Sequence, residues 1–571
     1  MLDPGASVRL VIGVTGHRNI DAGESDGIRA RVRELFAALR RELPSLAPVV
    51  VSSLAQGGDQ LVAEEASAAG IPLIAILPMP RAQYADDFEG TARARFDALL
   101  ATAATIELPG VARDAIDLDA MPTGAERDRQ YANAGLYISS HCHILLAIWD
   151  GKPSDLIGGT AQIVDYHLHG KLPGSIERRR ARSASVPLGD DIERLAYHIV
   201  CSRADEGAPA PALRPLETFW LTGSHATSGE NPIPADYRAT FANMAGFGAD
   251  AAKYRQAIEA KSARRAVGVA APKSALNDLF QAADYLALHF QRRVLFAMRG
   301  IYSIAALMGI AFLCYADFPA QDYMIFVFLS LFAAGVSLSL IARRRGWHRK
   351  YLDYRALAEG LRVQSYWRRA GLSVTADSEF ARDNFLQKQD VELGWIRNVM
   401  RSAGLAADLA RAPREADALV RVIAEWVGEA DGPGQLGYYT SRAVQRARLH
   451  RITETLGAIS LWTGIAISVF LAVFFLRLSQ DAKTTLVAVM AIVSIVAAVR
   501  EAYAYRKADK ELIKQYRFMG RIFASARAAL DRTRDPAGQR EILRALGEAA
   551  LAEHAEWTLM HRERPLEPAR W

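Results

Sequence analysis

The chain predicts an α/β N-terminal region on a parallel sheet, then a mostly α C-terminal membrane region with four transmembrane helices in two hairpins. Three observations carry this. Short, nearly continuous apolar runs alternate with helical patterns over residues 8–175, as in a parallel sheet covered on both faces. Glycine-rich turns follow those runs. Four long apolar segments then occupy 300–318, 323–342, 455–476 and 484–499. At about 1.5 Å per residue, each crosses or nearly crosses an apolar layer of about 30 Å.

Residues 8–15 read as a buried strand, and a helix over 24–43 follows with Leu35, Leu39 and Leu43 at four-residue spacing. Val49, Val50 and Val51 begin a second strand; Gly57, Gly58 and Asp59 open a helix that ends at Gly70. A third strand runs from Ile71 to Leu77 and stops at Pro78. Residues 142–149 give a further strand, and Gly158-Gly159-Thr160 leads into a helix with Ile163 and Val164. The basic run from Arg178 to Arg182 marks a linker, and residues 184–270, rich in Pro and Gly, resist assignment.

The expected divisions are 1–175 for the α/β domain, 176–275 for a mixed linker or insert, 276–365 for the first hairpin, 366–435 for a cytosolic helical region and 436–571 for the second hairpin with long C-terminal helices. Trp367, Trp395 and Trp426 are the expected packing anchors between the hairpins. Each hairpin has a basic approach, two apolar arms around a short turn and a charged exit, so the two form an organisational repeat.

The net charge of +6 invites a nucleic-acid reading. The cations, however, cluster beside the apolar segments, as in Arg343-Arg344-Arg345 and Arg446, Arg448 and Arg451. The positive-inside rule explains that placement and puts both termini in the cytosol; no basic-aromatic module calls for nucleic acid. Cys142, Cys201 and Cys314 give no disulfide or zinc framework. The first residues lack a signal-peptide pattern, so the polar regions are expected in the cytosol.

Ligands of an open parallel sheet bind beyond the carboxyl ends of its strands. Four turns are placed there. Thr15-Gly16-His17-Arg18 offers a hydroxyl, a close backbone approach and a guanidinium for phosphate. The turn with Ser53, Ala55, Gln56, Gly57, Gly58 and Asp59 opens a helix whose dipole favours an anion. Asp150 and Gly151 close a later strand, with Asp150 able to accept from ribose hydroxyls; Gly158, Gly159 and Thr160 offer amides and a hydroxyl. Neither a G-x-G-x-x-G fingerprint after the first strand nor a Walker A motif is present.

This set of turns, with Leu77-Pro78, Tyr84 and Asp87-Phe88, resembles the SLOG superfamily. That Rossmann-like group relates DNA-processing DprA proteins, LOG cytokinin-activating enzymes and the nucleotide-binding region of TRPM channels. The hairpins resemble SLATT membrane modules. The resemblance implies a nucleotide-binding site at the residues just named and a ligand related to NAD or ADP-ribose. It also implies a membrane effector in bacterial antiphage defence, acting as a homo-oligomer in the inner (cytoplasmic) membrane with the lipid bilayer as its other partner. The LOG motif P-G-G-x-G-T-x-x-E places a glutamate after its threonine; here Thr160 is followed by Ala161, Gln162 and Ile163, and the next acid is Asp165. No catalytic or metal-ligating residue is therefore assigned, and binding is favoured over hydrolysis. A membrane-tethered phosphoribohydrolase is the alternative, with Asp59 or His17 as acid or base.

His141 and His143 flank Cys142. On a strand, the two imidazoles face one side and the thiol the other, which disfavours a shared metal. His167 and His169, two apart on a helix, do not share a face. Ser460, Gly464 and Ser468 recur every four residues in the third segment, a spacing that permits close helix packing. The segments carry no central Asp, Glu or Lys, so a charged selectivity ring is not expected.

Overall fold

A computed structural model describes residues 8–109, 124–169, 194–266, 274–318, 321–372, 393–410, 417–474, 476–507 and 509–562. Two compact units emerge. One comprises Met1–Ala283, Leu357–Ser365 and Leu372–Pro413; the other comprises Asp284–Ala356, Tyr366–Gly371 and Arg414–Trp571.

The first unit is built on one eight-stranded sheet. Its strands are β1 (Arg9–Gly16), β2 (Ala47–Ser52), β3 (Leu73–Leu77), β4 (Ala104–Glu107), β5 (Ile144–Trp149), β6 (Leu195–Val200), β7 (Thr218–Leu221) and β8 (Ala226–Ser228). Their order is β4-β3-β2-β1-β5-β6-β7-β8. Pairing is parallel from β4 through β6 and antiparallel for β6-β7 and β7-β8. The chain moves outward from β1 to β4, then returns to start β5 on the other side of β1. That reversal makes the carboxyl ends of β1 and β5 the topological switch point.

The helices of this unit are α1 (Ser25–Glu42), α2 (Gly58–Ala68), α3 (Arg81–Ala85), α4 (Gly90–Thr102), α5 (Ala125–His141), α6 (Thr160–His169), α7 (Ala235–Lys253) and α8 (Arg255–Ala266). α1 buries Ile28, Val32, Leu35, Phe36 and Leu39. These positions form one stripe of a helix, the geometry that covers a sheet face. β1, β3 and β5 contribute almost fully buried Ile12, Ile76 and Leu145. Strands covered on both faces need no polar alternation, which is why their sequences read as unbroken apolar runs.

Three features depart from the sequence reading. The sheet does not end near residue 175: β6, β7 and β8 extend it, so the stretch read as a linker or insert carries one edge of the same sheet. A helix from the region between the hairpins, α12 (Gly394–Leu409), lies inside this unit, with Trp395, Ile396 and Met400 buried. There Asp408 accepts from the Tyr137 hydroxyl at 2.6 Å. Finally, Cys142 caps α5 and does not lie in a strand, because its amide still bonds the Ile138 carbonyl and strand pairing starts at Ile144. The two imidazoles beside it serve packing. His141 stacks on Tyr137 at 4.1 Å. His143 Nδ1 accepts from the Val11 amide at 3.0 Å while its Nε2 faces the Asn398 carbonyl at 2.9 Å, and burial pushes its pKa down to about 3.

The second unit holds the apolar segments. Four candidate spans lie in helices with exposed apolar surface: α9 (Ala275–Asp317), α10 (Met324–Arg344) continuing into α11 (Trp347–Arg369), α14 (Gln435–Phe474) and α15 (Gln480–Lys507). Phe326, Phe332, Leu461 and Trp462 are all more than half exposed. An apolar surface of this kind suits lipid, and the four helices could each cross a membrane. Short helix α13 (Ala418–Val422), α16 (Asp509–Arg532) and α17 (Pro536–Arg562) complete the unit. Two of the expected anchors are buried here: Trp367 donates to the Leu543 carbonyl at 3.0 Å, and Trp426 stacks on Tyr366 at 5.1 Å. Ser460 and Ser468 bond carbonyls of their own helix, and nothing lies within 4 Å of the Cβ position at Gly464. Ser468 Oγ also lies 3.1 Å from Met490 Sδ on α15, so the small-residue stripe meets its neighbour at Ser468 and leaves open space at Gly464.

Candidate ligand site at the sheet switch point

Backbone bonds tie the turn after β1 to both neighbours. The His17 amide donates to the Ile148 carbonyl at 3.0 Å, and the His17 carbonyl accepts from the Gly58 amide at 3.0 Å. This stitching demands glycine. A Cβ on Gly16 would lie 2.9 Å from Gly58 Cα; Gly57, at φ +90°, would place one 2.2 Å from the His17 carbonyl oxygen. Leu54, just before, is held at φ +57° with its side chain buried. A non-glycine residue in that region is strained, and such strain gathers at functional turns.

The His17 side chain points across the switch point. Its Nε2 lies 3.0 Å from Asp150 Oδ1, although the approach is off-axis for a hydrogen bond. Asp150 Oδ1 also accepts from the Lys152 amide at 3.0 Å, and the Asp150 carbonyl accepts from the Ala210 amide at 2.8 Å. Burial lowers the His17 pKa below its usual range and outweighs the pull of Asp150. For Asp150, burial pushes up, but the contact with His17 and the Lys152 amide hold the carboxyl below its usual range. The pair at neutral pH is a neutral imidazole against a carboxylate.

Asp59 stands in the first turn of α2. Its Oδ2 accepts from the Ser52 and Ser53 hydroxyls at 2.9 and 2.8 Å. Burial raises its pKa to about 6, against these hydroxyls and the positive charge of Arg18. The Tyr84 hydroxyl donates to the Ser53 carbonyl at 3.1 Å, which ties the packed rings of Tyr84, Phe88 and Phe96 to the same turn.

Arg18 is exposed, and its guanidinium carbon lies 5.1 Å from the centre of the Tyr131 ring. It makes no ion pair among the described residues. Tyr131 is fixed from below: its hydroxyl donates to Asp87 Oδ2 and accepts from Arg127 Nε, the latter at 2.9 Å. The free cation therefore rests on a rigid aromatic platform.

Of the turn residues singled out in the sequence, Gly16, His17, Arg18, Gly57, Gly58, Asp59 and Asp150 converge at the ends of β1, β2 and β5. Thr15 is paired in the strand opposite Ala147, Ala55 offers its carbonyl to the Gln60 amide, and Gln56 is exposed. Gly151 packs on Leu213 from the loop after β6. The fourth turn differs from expectation. The Gly158 amide already bonds Gln162 Oε1 at 3.1 Å, the Gly159 amide bonds the Leu156 carbonyl at 2.9 Å, and Thr160 is buried. Those two amides are not open to an anion; Gly158 instead allows close contact with Ala132, next to Tyr131.

Tyr131 and Arg127 were not singled out in the sequence. The spacing of Arg127 and Tyr131 on one helix face was the available signal, but Arg18 reaches Tyr131 only through the tertiary fold. Among the described residues, no group of three or more His, Cys, Asp or Glu could hold a metal ion. No protein-family model, curated protein or solved structure matches the chain.

Proposed function

We infer that the chain is a membrane-embedded receptor for a phosphorylated, nucleotide-like ligand held at the β1–β5 switch point. The observation that carries this is the unpaired Arg18 guanidinium over Tyr131, beside the His17–Asp150 pair. An exposed cation on a fixed ring gives charge-assisted hydrogen bonds to phosphate. Asp150 supplies a carboxylate for ribose hydroxyls. NAD- or ADP-ribose-related molecules combine both groups, and the resemblance to SLOG domains favours them. The termini lie on the cytoplasmic side of a bacterial inner membrane, because the cations flank the apolar segments there. Ligand binding shifts the packing of the hairpins in a homo-oligomer and alters membrane permeability, in keeping with an antiphage role. Such coupling requires the ligand to prefer one arrangement of the membrane helices.

The test is mass spectrometry of small molecules that co-purify with the full chain and with Arg18→Ala. A phosphorylated metabolite lost in the variant supports the reading. Equal retention by both proteins, or none by either when candidate nucleotides are added, counts against it.

One observation favours a second reading. Asp59, buried with a pKa near 6, and the His17–Asp150 pair have the make-up of acid–base machinery. A membrane-tethered phosphoribohydrolase would release base or ribose product from nucleotides and lose that activity in Asp59→Ala.

A further inference from the structure

A hollow of about 1530 Å³ lies in the second unit, between α14, α16 and α17. Its position follows from the helix register. Tyr439 packs on Phe523, Arg446 on Tyr516, and Glu454 on Lys510, so α16 runs antiparallel to α14. The hollow thus sits at the root of the apolar segment that begins near residue 455.

Its walls combine two chemistries. Arg448, Arg451, Lys514, Arg517 and Arg521 line it, and none makes an ion pair among the described residues. Three carboxylates also line it: Glu511, Glu553 and Glu556. Burial and neighbouring Glu556 push the Glu553 pKa up, which softens the negative side further. Between the charges lie Val444 and Phe518, exposed at 68% and 43%. Five unpaired cations facing three carboxylates match a negative headgroup.

Depth selects the source. Arg451 precedes the apolar segment by four residues, about 6 Å along a helix. That is the depth of the headgroup layer, which adds roughly 5–8 Å to each side of the hydrocarbon core. Basic pockets beside membrane helices on the cytoplasmic side bind anionic headgroups.

We propose that this hollow is a binding site for the headgroup of an anionic phospholipid, with the phosphate held by Arg448, Arg451 and Lys514 and the acyl chains staying in the bilayer beside the apolar segment that begins near residue 455. It needs α14 to cross the bilayer and does not depend on the ligand at the sheet. A retained lipid here would wedge α14 against α16 and make the packing of the second hairpin sensitive to membrane composition.

The test reconstitutes the full chain in nanodiscs of equal phosphatidylglycerol and phosphatidylcholine, extracts it into neutral detergent and measures the retained lipids. Wild type should retain phosphatidylglycerol with an enrichment of roughly tenfold or more. The Arg448→Gln/Arg451→Gln/Lys514→Gln variant should fall to the bulk ratio, and Arg343→Gln/Arg344→Gln/Arg345→Gln should keep the enrichment. If the first variant does not reconstitute, Arg451→Gln alone decides and should lose most of the enrichment. Inorganic phosphate in excess should leave the lipid bound. The proposal is overturned by wild type without enrichment, by equal loss in the Arg343 cluster variant, by unchanged retention in Arg451→Gln, or by displacement with phosphate alone.

Discussion

His17 Nε2 sits 3.0 Å from Asp150 Oδ1, so the ends of two neighbouring parallel strands meet through one side-chain contact. The same carboxylate oxygen accepts the Lys152 amide. Asp150→Ala should leave the Lys152 amide without its acceptor, remove the carboxylate that faces His17 and lower the opening free energy of this edge by about 1–3 kcal/mol. Asp150→Asn should cost less, since its amide oxygen can still accept from Lys152. Hydrogen exchange of peptides covering residues 144–152 reads the difference. Equal exchange in wild type and Asp150→Ala would show the contact to be incidental.

Gly57→Ala should be far more damaging than its size implies. The new methyl group would meet the His17 carbonyl oxygen at 2.2 Å, and the backbone sits at φ +90°. The expected cost is about 2–4 kcal/mol, with loss of anion binding, because the turn must move away from β1. Exchange protection of the His17 and Gly58 amides is the readout; unchanged protection would contradict the stitched-turn description.

Asp59 gives a pH dependence of defined sign. A carboxyl raised from 3.8 to about 6 keeps its proton longer in the folded state. Between those values the folded chain binds more protons than the unfolded one, so stability falls as pH rises. Full retention of the shift would make this roughly 3 kcal/mol. Thermal unfolding of the full chain in nanodiscs should show Asp59→Asn gaining on wild type from about pH 4 to about pH 6 and then running parallel. A constant offset across that range would refute the assignment.

Orientation can be read with thiol labels. Cys142 and Cys201 are buried, so a Cys314→Ser background is nearly silent. Ser479→Cys, in the turn between α14 and α15, should react with an impermeant maleimide in intact cells. Arg534→Cys, between α16 and α17, should react only after permeabilisation. The reverse pattern would invert the topology.

The sequence was most legible where burial is two-sided. β1, β2, β3 and β5 announce themselves as apolar runs stopped by glycine, serine, proline or aspartate. β7 and β8 do not: they span only Thr218–Leu221 and Ala226–Ser228, and β8 is exposed throughout. Strands that short carry too few residues to set a period. α12 hid differently. Its helical pattern is plain, but nothing local says that Asn398 and Asp408 meet His143 and Tyr137 across more than 250 positions. At the site, glycines and charges were visible from their turns. The occupied amides of Gly158 and Gly159 were not, since Gln162 and Leu156 compete for them only once the turn is closed.

The central claim is that Arg18, unpaired over Tyr131, anchors a phosphorylated ligand. Titration of the full chain in nanodiscs with ADP-ribose tests it most directly, with Arg18→Ala and Arg95→Ala compared side by side. Arg95 is an exposed cation engaged with Glu64 and serves as the control. Saturable binding weakened roughly ten- to a hundredfold in Arg18→Ala, and unchanged in Arg95→Ala, is the expected result. Saturable binding that survives Arg18→Ala intact, or the absence of binding by wild type to ADP-ribose and related nucleotides, would contradict it.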